Sequence, residues 1–301
     1  MTEQRKPWHG VFTATALPFN DDLSVDFDSY GEHVAWLAGN GTQGVCPNGS
    51  LGEYQTLSDE ERARVVTTAV EASPDGFGVM PGVGAYGGLD SVRWIEQAAE
   101  AGAQSVLMLP PNTYRADRET VRNHYRGAAK VGLPIVAYNN PFDTKVDLTP
   151  DLLAELYFEG LIVAVKEFSG DVRRAYQIRE LAPDLDLLVG ADDVLVELGL
   201  AGAVGWVAGY PNALPVSCVE LFELATSGVH ADLDKAMPIY RDLHSLLRWD
   251  SQTEFVQAIK LSMDVVGRPG GACRPPRAPL APASRALVVA DTEAAVAKGY
   301  K

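Results

Sequence analysis

The chain has 301 residues, of which 47% are hydrophobic and 22% charged, and a formal net charge of −15. That length supports a large core, arranged as two ordinary domains or as one α/β barrel. The acidity repels phosphate backbones and anionic lipid surfaces, so neither nucleic acid nor a membrane is expected as a partner.

The start, MTEQRKPWHG, lacks the apolar core of a signal peptide. No run of about 18 apolar residues reads as a membrane-spanning helix. Cys46, Cys218 and Cys273 are widely separated and form no CxxC pair, which suits a reducing cytoplasm better than a disulfide framework or a zinc site.

In chain order, short runs rich in Val, Leu and Ala predict strands at 11–17, 44–47, 78–82, 105–109, 135–138, 162–166, 187–189 and 204–208. Helix-like stretches separate them, and eight such units in this length favour a (β/α)8 TIM barrel over a doubly wound sheet. The helices carry their own punctuation. Ser58-Asp59-Glu60-Glu61 reads as a capping box, Thr149-Pro150 as N-cap and N1, and Gly102, Gly132 and Gly160 as helix stops. After Pro215 the strand signal ends, and helical periodicity runs through 218–226, 233–247 and 253–266. A loop at 267–279 and a last helix at 282–299 follow. The expected organisation is therefore a barrel over 1–215 with C-terminal helices, 216–301, packed on it.

The sixth strand holds the most informative residue. In LIVAVKEFSG an apolar run meets Lys166 with no break. Side chains of a barrel strand alternate inward and outward, and chemistry sits at the C-terminal strand ends. If Lys166 points inward, Glu167 points toward the helices and does not neutralise it. An unpaired amine in an apolar cavity loses charge and becomes a nucleophile toward ketones. One unit earlier, LPIVAYNNP brings Tyr138 to the same end of the adjacent strand, where its hydroxyl can carry a proton. After the second strand, PNGSLGEYQTLSDEE offers Gly49 and Gly52 as positive-φ positions that let successive N–H groups converge on a carboxylate, with the Ser50 hydroxyl beside them.

Other chemistries are poorly represented. His9, His33, His124, His230 and His244 form no HxH or HxxxH pair, so no metal is expected. Asp192-Asp193 reads as an N-cap for a helix beginning near Val194, not as a two-carboxylate site.

Together these stretches resemble the dihydrodipicolinate synthase / N-acetylneuraminate lyase family of class I aldolases. TALPF, GSLGE, YNNP, VAVKEFSGD and GAVGWVAGYPNALP carry the resemblance over nearly the whole chain. It implies a TIM barrel with C-terminal helices, a homotetramer, a small-molecule 2-oxo acid as partner, and no cofactor. It implies that Lys166 forms the imine, that Tyr138 relays protons, and that Ser50 with the amides of Gly49, Leu51 and Gly52 grips the carboxylate. Asn112, Asp143 and Gly209 are assigned with them to substrate binding. Three departures matter. Ser50 and Leu51 stand where the synthase has two threonines. Asn112 stands where it has a relay tyrosine, with Tyr114 two residues on. Asp143 stands where it has an arginine for the second substrate, with Lys145 nearby. These departures point to the branch acting on 2-keto-3-deoxy sugar acids or hydroxyproline-pathway intermediates, by aldol cleavage, dehydration or deamination. The alternatives are dihydrodipicolinate synthase itself and a non-catalytic sugar-acid-binding barrel.

Overall fold

The structure, a computed structural model, describes residues 5–112 and 115–301. Its parallel strands are β1 (Gly10–Ala14), β2 (Gly44–Cys46), β3 (Gly78–Val79), β4 (Val106–Met108), β5 (Ile135–Asn139), β6 (Ala164–Glu167), β7 (Asp186–Val189) and β8 (Gly205–Ala208). They hydrogen-bond in the order β3-β2-β1-β8-β7-β6-β5-β4. A parallel bridge between Gly82 and Leu107 joins the two ends, and the sheet closes on itself. The fold is a (β/α)8 barrel, as the eight apolar runs predict.

Between the strands run α1 (Phe27–Gly39), α2 (Asp59–Glu71), α3 (Gly88–Ala101), α4 (Arg118–Ala129), the single turn α5 (Pro141–Thr144), α6 (Pro150–Phe158), α7 (Arg173–Leu181) and α8 (Leu195–Leu200). After β8 come α9 (Pro215–Thr226), α10 (His230–Leu247), α11 (Phe255–Val265) and α12 (Pro282–Ala297). The capping box forms at α2: the Ser58 backbone N–H donates to Glu61 Oε2 at 3.0 Å and the Glu61 N–H donates to Ser58 Oγ at 3.2 Å. At α6 Pro150 takes the first helical position, but the Thr149 hydroxyl donates to the Asp151 carboxylate instead of capping the backbone. Among the described residues no helix is long and apolar enough to cross a membrane.

Alternation along the strands builds two layers. Phe12, Met80, Leu107, Val136, Ala164, Leu188 and Val207 fill the barrel interior with Trp8, while Val106, Ala137, Val165, Val189 and Trp206 face the helices. The Phe12 ring lies where a Cβ on Gly44 or Gly78 would stand, at 2.3 Å and 2.5 Å, so those strands need glycine to admit it. β1 ends at Ala14, earlier than the apolar run, because the chain turns there and buries Leu17 against Val25 and Tyr30 of the outer layer.

The C-terminal segment is tied to the barrel by ions, not only by apolar packing. Lys260 of α11 is fully buried; its Nζ donates to the Leu17 carbonyl at 2.9 Å and to Glu53 Oε1 at 3.2 Å. The Arg274 backbone N–H donates to Glu53 Oε2 at 2.9 Å, and its guanidinium grips both oxygens of Glu61 at 2.6 Å and 2.7 Å. A buried carboxylate stripped of its cation is costly. Lys260→Met is therefore expected to lose about 3–5 kcal/mol of stability. Denaturant unfolding, with Glu53→Gln/Lys260→Met as the second arm of a double-mutant cycle, measures it; the double variant is expected to lose less than the two single variants together.

Candidate active site

β6 sends Lys166 inward and Glu167 outward. Glu167 is buried on the helix side, where it accepts from Asn139 Nδ2 at 2.9 Å and from the Ser169 N–H at 2.6 Å. Lys166 is 6% exposed. Its Nζ stands 4.3 Å from the centroid of the Tyr138 ring and 5.7 Å from that of Phe168. Among the described residues it makes no hydrogen bond and no ion pair. Burial holds the amine below the ordinary lysine value; the charge of Asp250 pulls the other way and does not overcome it.

Tyr138 is the register partner of Lys166 across the β5–β6 ladder. Desolvation pushes its phenol well above the usual tyrosine range, so it stays protonated at neutral pH. Asn140 Nδ2 reaches the phenol oxygen at 3.4 Å and Asp143 Oδ2 at 2.8 Å, linking the tyrosine to the cavity wall.

The loop after β2 differs from its expected geometry in one respect. Gly49 and Gly52 are not the positive-φ positions; Asn48 (φ 57°) and Glu53 (φ 52°), on either side of them, are. Gly52 is small for another reason: a Cβ there would lie 3.1 Å from the Thr15 carbonyl. The Gly52 and Glu53 N–H groups are spent on the carbonyls of Gly49 and Ser50, each at 3.1 Å. Those of Gly49, Ser50 and Leu51 have no acceptor among the described residues.

Asp192, after β7, is not the N-cap expected of it. Its carboxylate is fully buried and accepts from Trp206 Nε1 at 2.9 Å, from the Gly209 N–H at 3.1 Å and from the Tyr210 N–H at 3.2 Å. A second carboxylate faces it. Asp250, from the 3-10 turn between α10 and α11, packs on Gly209 so closely that a Cβ there would lie 2.9 Å from Asp250 Oδ1 and 3.5 Å from Asp192 Oδ2. A two-carboxylate arrangement, which the adjacent pair Asp192-Asp193 does not imply, is thus made by residues far apart in sequence. Burial pushes Asp250 up to about 6 and Asp192 well above the carboxylate range. Ser251 Oγ holds the turn in place by donating to Asp193 Oδ1 at 2.9 Å. Asp250 and Asp192 lie on the β7–β8 flank of Lys166, and Tyr138 on its β5 flank.

Lys166, Tyr138, the loop after β2 and Asp250 line one cavity of about 670 Å³ at the C-terminal ends of the strands, with Asp192 buried behind Gly209. Of the residues singled out from the sequence, Lys166, Tyr138, Gly49, Ser50, Leu51, Asp143 and Gly209 line it; Gly52 and Asn112 do not. Asn112 lies off the cavity wall, and Gly52 is occupied in the turn that shapes the loop. Tyr114 lies outside the described residues. Lys145 does not compensate for Asp143: its amine donates to the Phe142 carbonyl and it does not line the cavity. Asp250 and Arg277 also line the cavity, and both come from the C-terminal segment. No local sequence signal marks either residue.

Comparison with known proteins bears on the chemistry. Residues 7–295 match the model of the dihydrodipicolinate synthetase family. The chain is 32% identical over 285 residues to an "uncharacterized DapA-like lyase" of Rhizobium meliloti, covering 94% of each chain. It is 34% identical over 280 residues to the 4-hydroxy-tetrahydrodipicolinate synthase of Methanothrix thermoacetophila, covering 91% of this chain and 92% of that one. Among solved structures it resembles a dihydrodipicolinate synthetase-like protein of Pseudomonas aeruginosa, with a TM-score of 0.90 at 27% identity over 95% of this chain and 99% of the other.

The charge of Asp250 bears on the amine's titration. An ionised Asp250 favours the ammonium form, so removing that charge frees the amine at lower pH. In Asp250→Asn the rising limb of Lys166 reactivity is expected to move down the pH scale relative to wild type. The check is the pH dependence of Lys166 labelling by an amine-reactive reagent, mapped by mass spectrometry.

Proposed function

The chain belongs to the dihydrodipicolinate synthetase family and is a lyase of that family, and on that premise we propose that Lys166 is its imine-forming amine, acting on a 2-oxo acid. The observation that carries this reading is a buried amine lying over a phenol ring, its own register partner, with no carboxylate bound to it. A structural lysine has the opposite surroundings, as Lys260 has with Glu53 and two carbonyls.

In this reaction the neutral amine attacks the C2 ketone and the carbinolamine loses water to give a protonated imine. The imine withdraws electrons from C3. Either the C3–C4 bond breaks, leaving the enamine of pyruvate, or a C3 proton departs and a hydroxyl or amino group leaves from C4. The substrate carboxylate is received by the N–H groups of Ser50 and Leu51 with the Ser50 hydroxyl, which orients C2 toward the amine. Tyr138, protonated at neutral pH, donates to the departing oxygen and takes the proton back. Asp250, ionised above about pH 6, is the proton acceptor on the other flank.

Dehydration, deamination or aldol cleavage of a 2-keto-3-deoxy sugar acid or a hydroxyproline-pathway intermediate suits the cavity better than dihydrodipicolinate synthesis. Asp143 supports this preference. A carboxylate stands on the wall where the resemblance calls for an arginine, and it would repel the anionic end of a second substrate placed against it.

Two experiments test the proposal. Incubation with pyruvate or 2-keto-3-deoxy acids, followed by borohydride and intact mass, is expected to give one adduct that maps to Lys166 and is absent in Lys166→Ala. The absence of an adduct with every 2-oxo acid tried would overturn it. Asp143→Arg is expected to lower kcat/KM for the best hydroxylated substrate by about tenfold or more, measured by pyruvate or semialdehyde release; unchanged kinetics would remove Asp143 from the substrate contacts.

A further inference from the structure

Apart from Lys166, the described residues lining the cavity include one other cation, Arg277. It arrives on the segment between α11 and α12, and its side chain is 23% exposed. Its guanidinium carbon lies 5.4 Å from the centroid of the Phe255 ring. That ring also lines the cavity and gives the planar fork a surface to rest on.

The donors of this fork are unspent. Arg277 makes no side-chain hydrogen bond among the described residues. The nearest carboxylate is Glu53, with Nε at 4.0 Å from Oε2, beyond hydrogen-bond reach. Glu53 does not need it, because Lys260 Nζ and the Arg274 N–H already serve its two oxygens. By contrast, Asp143 and Asp193 of the same cavity have donors in Asn140 and Ser251. A largely buried guanidinium beside a ligand cavity, with its N–H groups open, is built for an anion from outside the chain.

Two carboxylate positions must be distinguished. The C1 carboxylate of any 2-oxo acid adjoins the carbon that meets Lys166, and the N–H groups of Ser50 and Leu51 are open for it. With the C1 carboxylate received there, the open fork of Arg277, carried into the same cavity on the segment between α11 and α12, is left for a second anion.

We propose that Arg277 receives a second anionic group at the far end of the substrate, so that the preferred substrates are 2-oxo acids carrying a terminal carboxylate. This inference rests on the Schiff-base reading above. In it the C-terminal segment, not the loop after β5, supplies the cation that reads the distal end, while Asp143 faces the hydroxylated middle of the chain. Arg277 is a binding residue and takes no part in proton transfer.

The test uses matched probes that differ only at the far end: 2-oxoglutarate against 2-oxopentanoate, and 2-oxoadipate against 2-oxohexanoate. The readout is the ratio of concentrations giving half-maximal borohydride adduct within each pair, for wild type, Arg277→Gln and Arg277→Lys. Because the ratio is internal to each variant, partial misfolding does not change it. Wild type is expected to favour the diacid by about tenfold or more in at least one pair. Arg277→Gln is expected to lose that preference and Arg277→Lys to keep part of it. No preference in wild type, or a preference that survives in Arg277→Gln, overturns the proposal. Equal weakening of both members of a pair overturns it too, by moving Arg277 to the carboxylate that all 2-oxo acids share. If wild type gives no adduct with any probe or with pyruvate, the Schiff-base reading is what has failed.

Discussion

The molecule turns on the contrast between two buried lysines. Lys260 and Lys166 are both nearly inaccessible to water. Lys260 has a carboxylate and two carbonyl oxygens around its amine. Lys166 has two aromatic rings and no bonded partner. Both ring faces and the nearby Asp250 favour the ammonium form somewhat. Desolvation works against it and prevails. One lysine therefore holds the structure together, and the other is left chemically available.

The parallel ladder makes that availability useful. Tyr138 and Lys166 share a register position, so their side chains leave neighbouring strands toward the same point. The rest of the site is placed by loops beyond the strand ends. Gly209 is the hinge of this arrangement, because its missing side chain lets Asp250 reach down from the C-terminal turn to the buried Asp192. A barrel of strands alone would carry the amine and the phenol but not the second carboxylate or the second cation. The C-terminal segment is thus part of the site as well as a cover for the barrel.

This division explains what could be read from the sequence. Apolar runs at unit spacing announce the barrel, because parallel strands are buried on both faces. The in–out alternation then assigns Lys166 and Glu167 to opposite sides. Tyr138 follows because one β-strand–helix step is a fixed displacement around the barrel. Asp250 and Arg277 were not legible, since each reaches the cavity through a tertiary contact that no local spacing records. In the glycine loop the sequence puts the strain in the wrong residues: Asn48 and Glu53, not Gly49 and Gly52, take the left-handed backbone, each held by side-chain bonds to distant segments. Asp192 was read as a local cap because adjacent carboxylates before a helix usually are; here the indole of Trp206 and two amides claim it instead.

The Phe12 ring, seated where Gly44 and Gly78 leave room and covered by Trp8, has a consequence for traffic. It stoppers the bottom of the barrel, so there is no through-passage. The cavity around Lys166 therefore opens at the opposite end, and under the proposed chemistry reactants and products would share that one mouth.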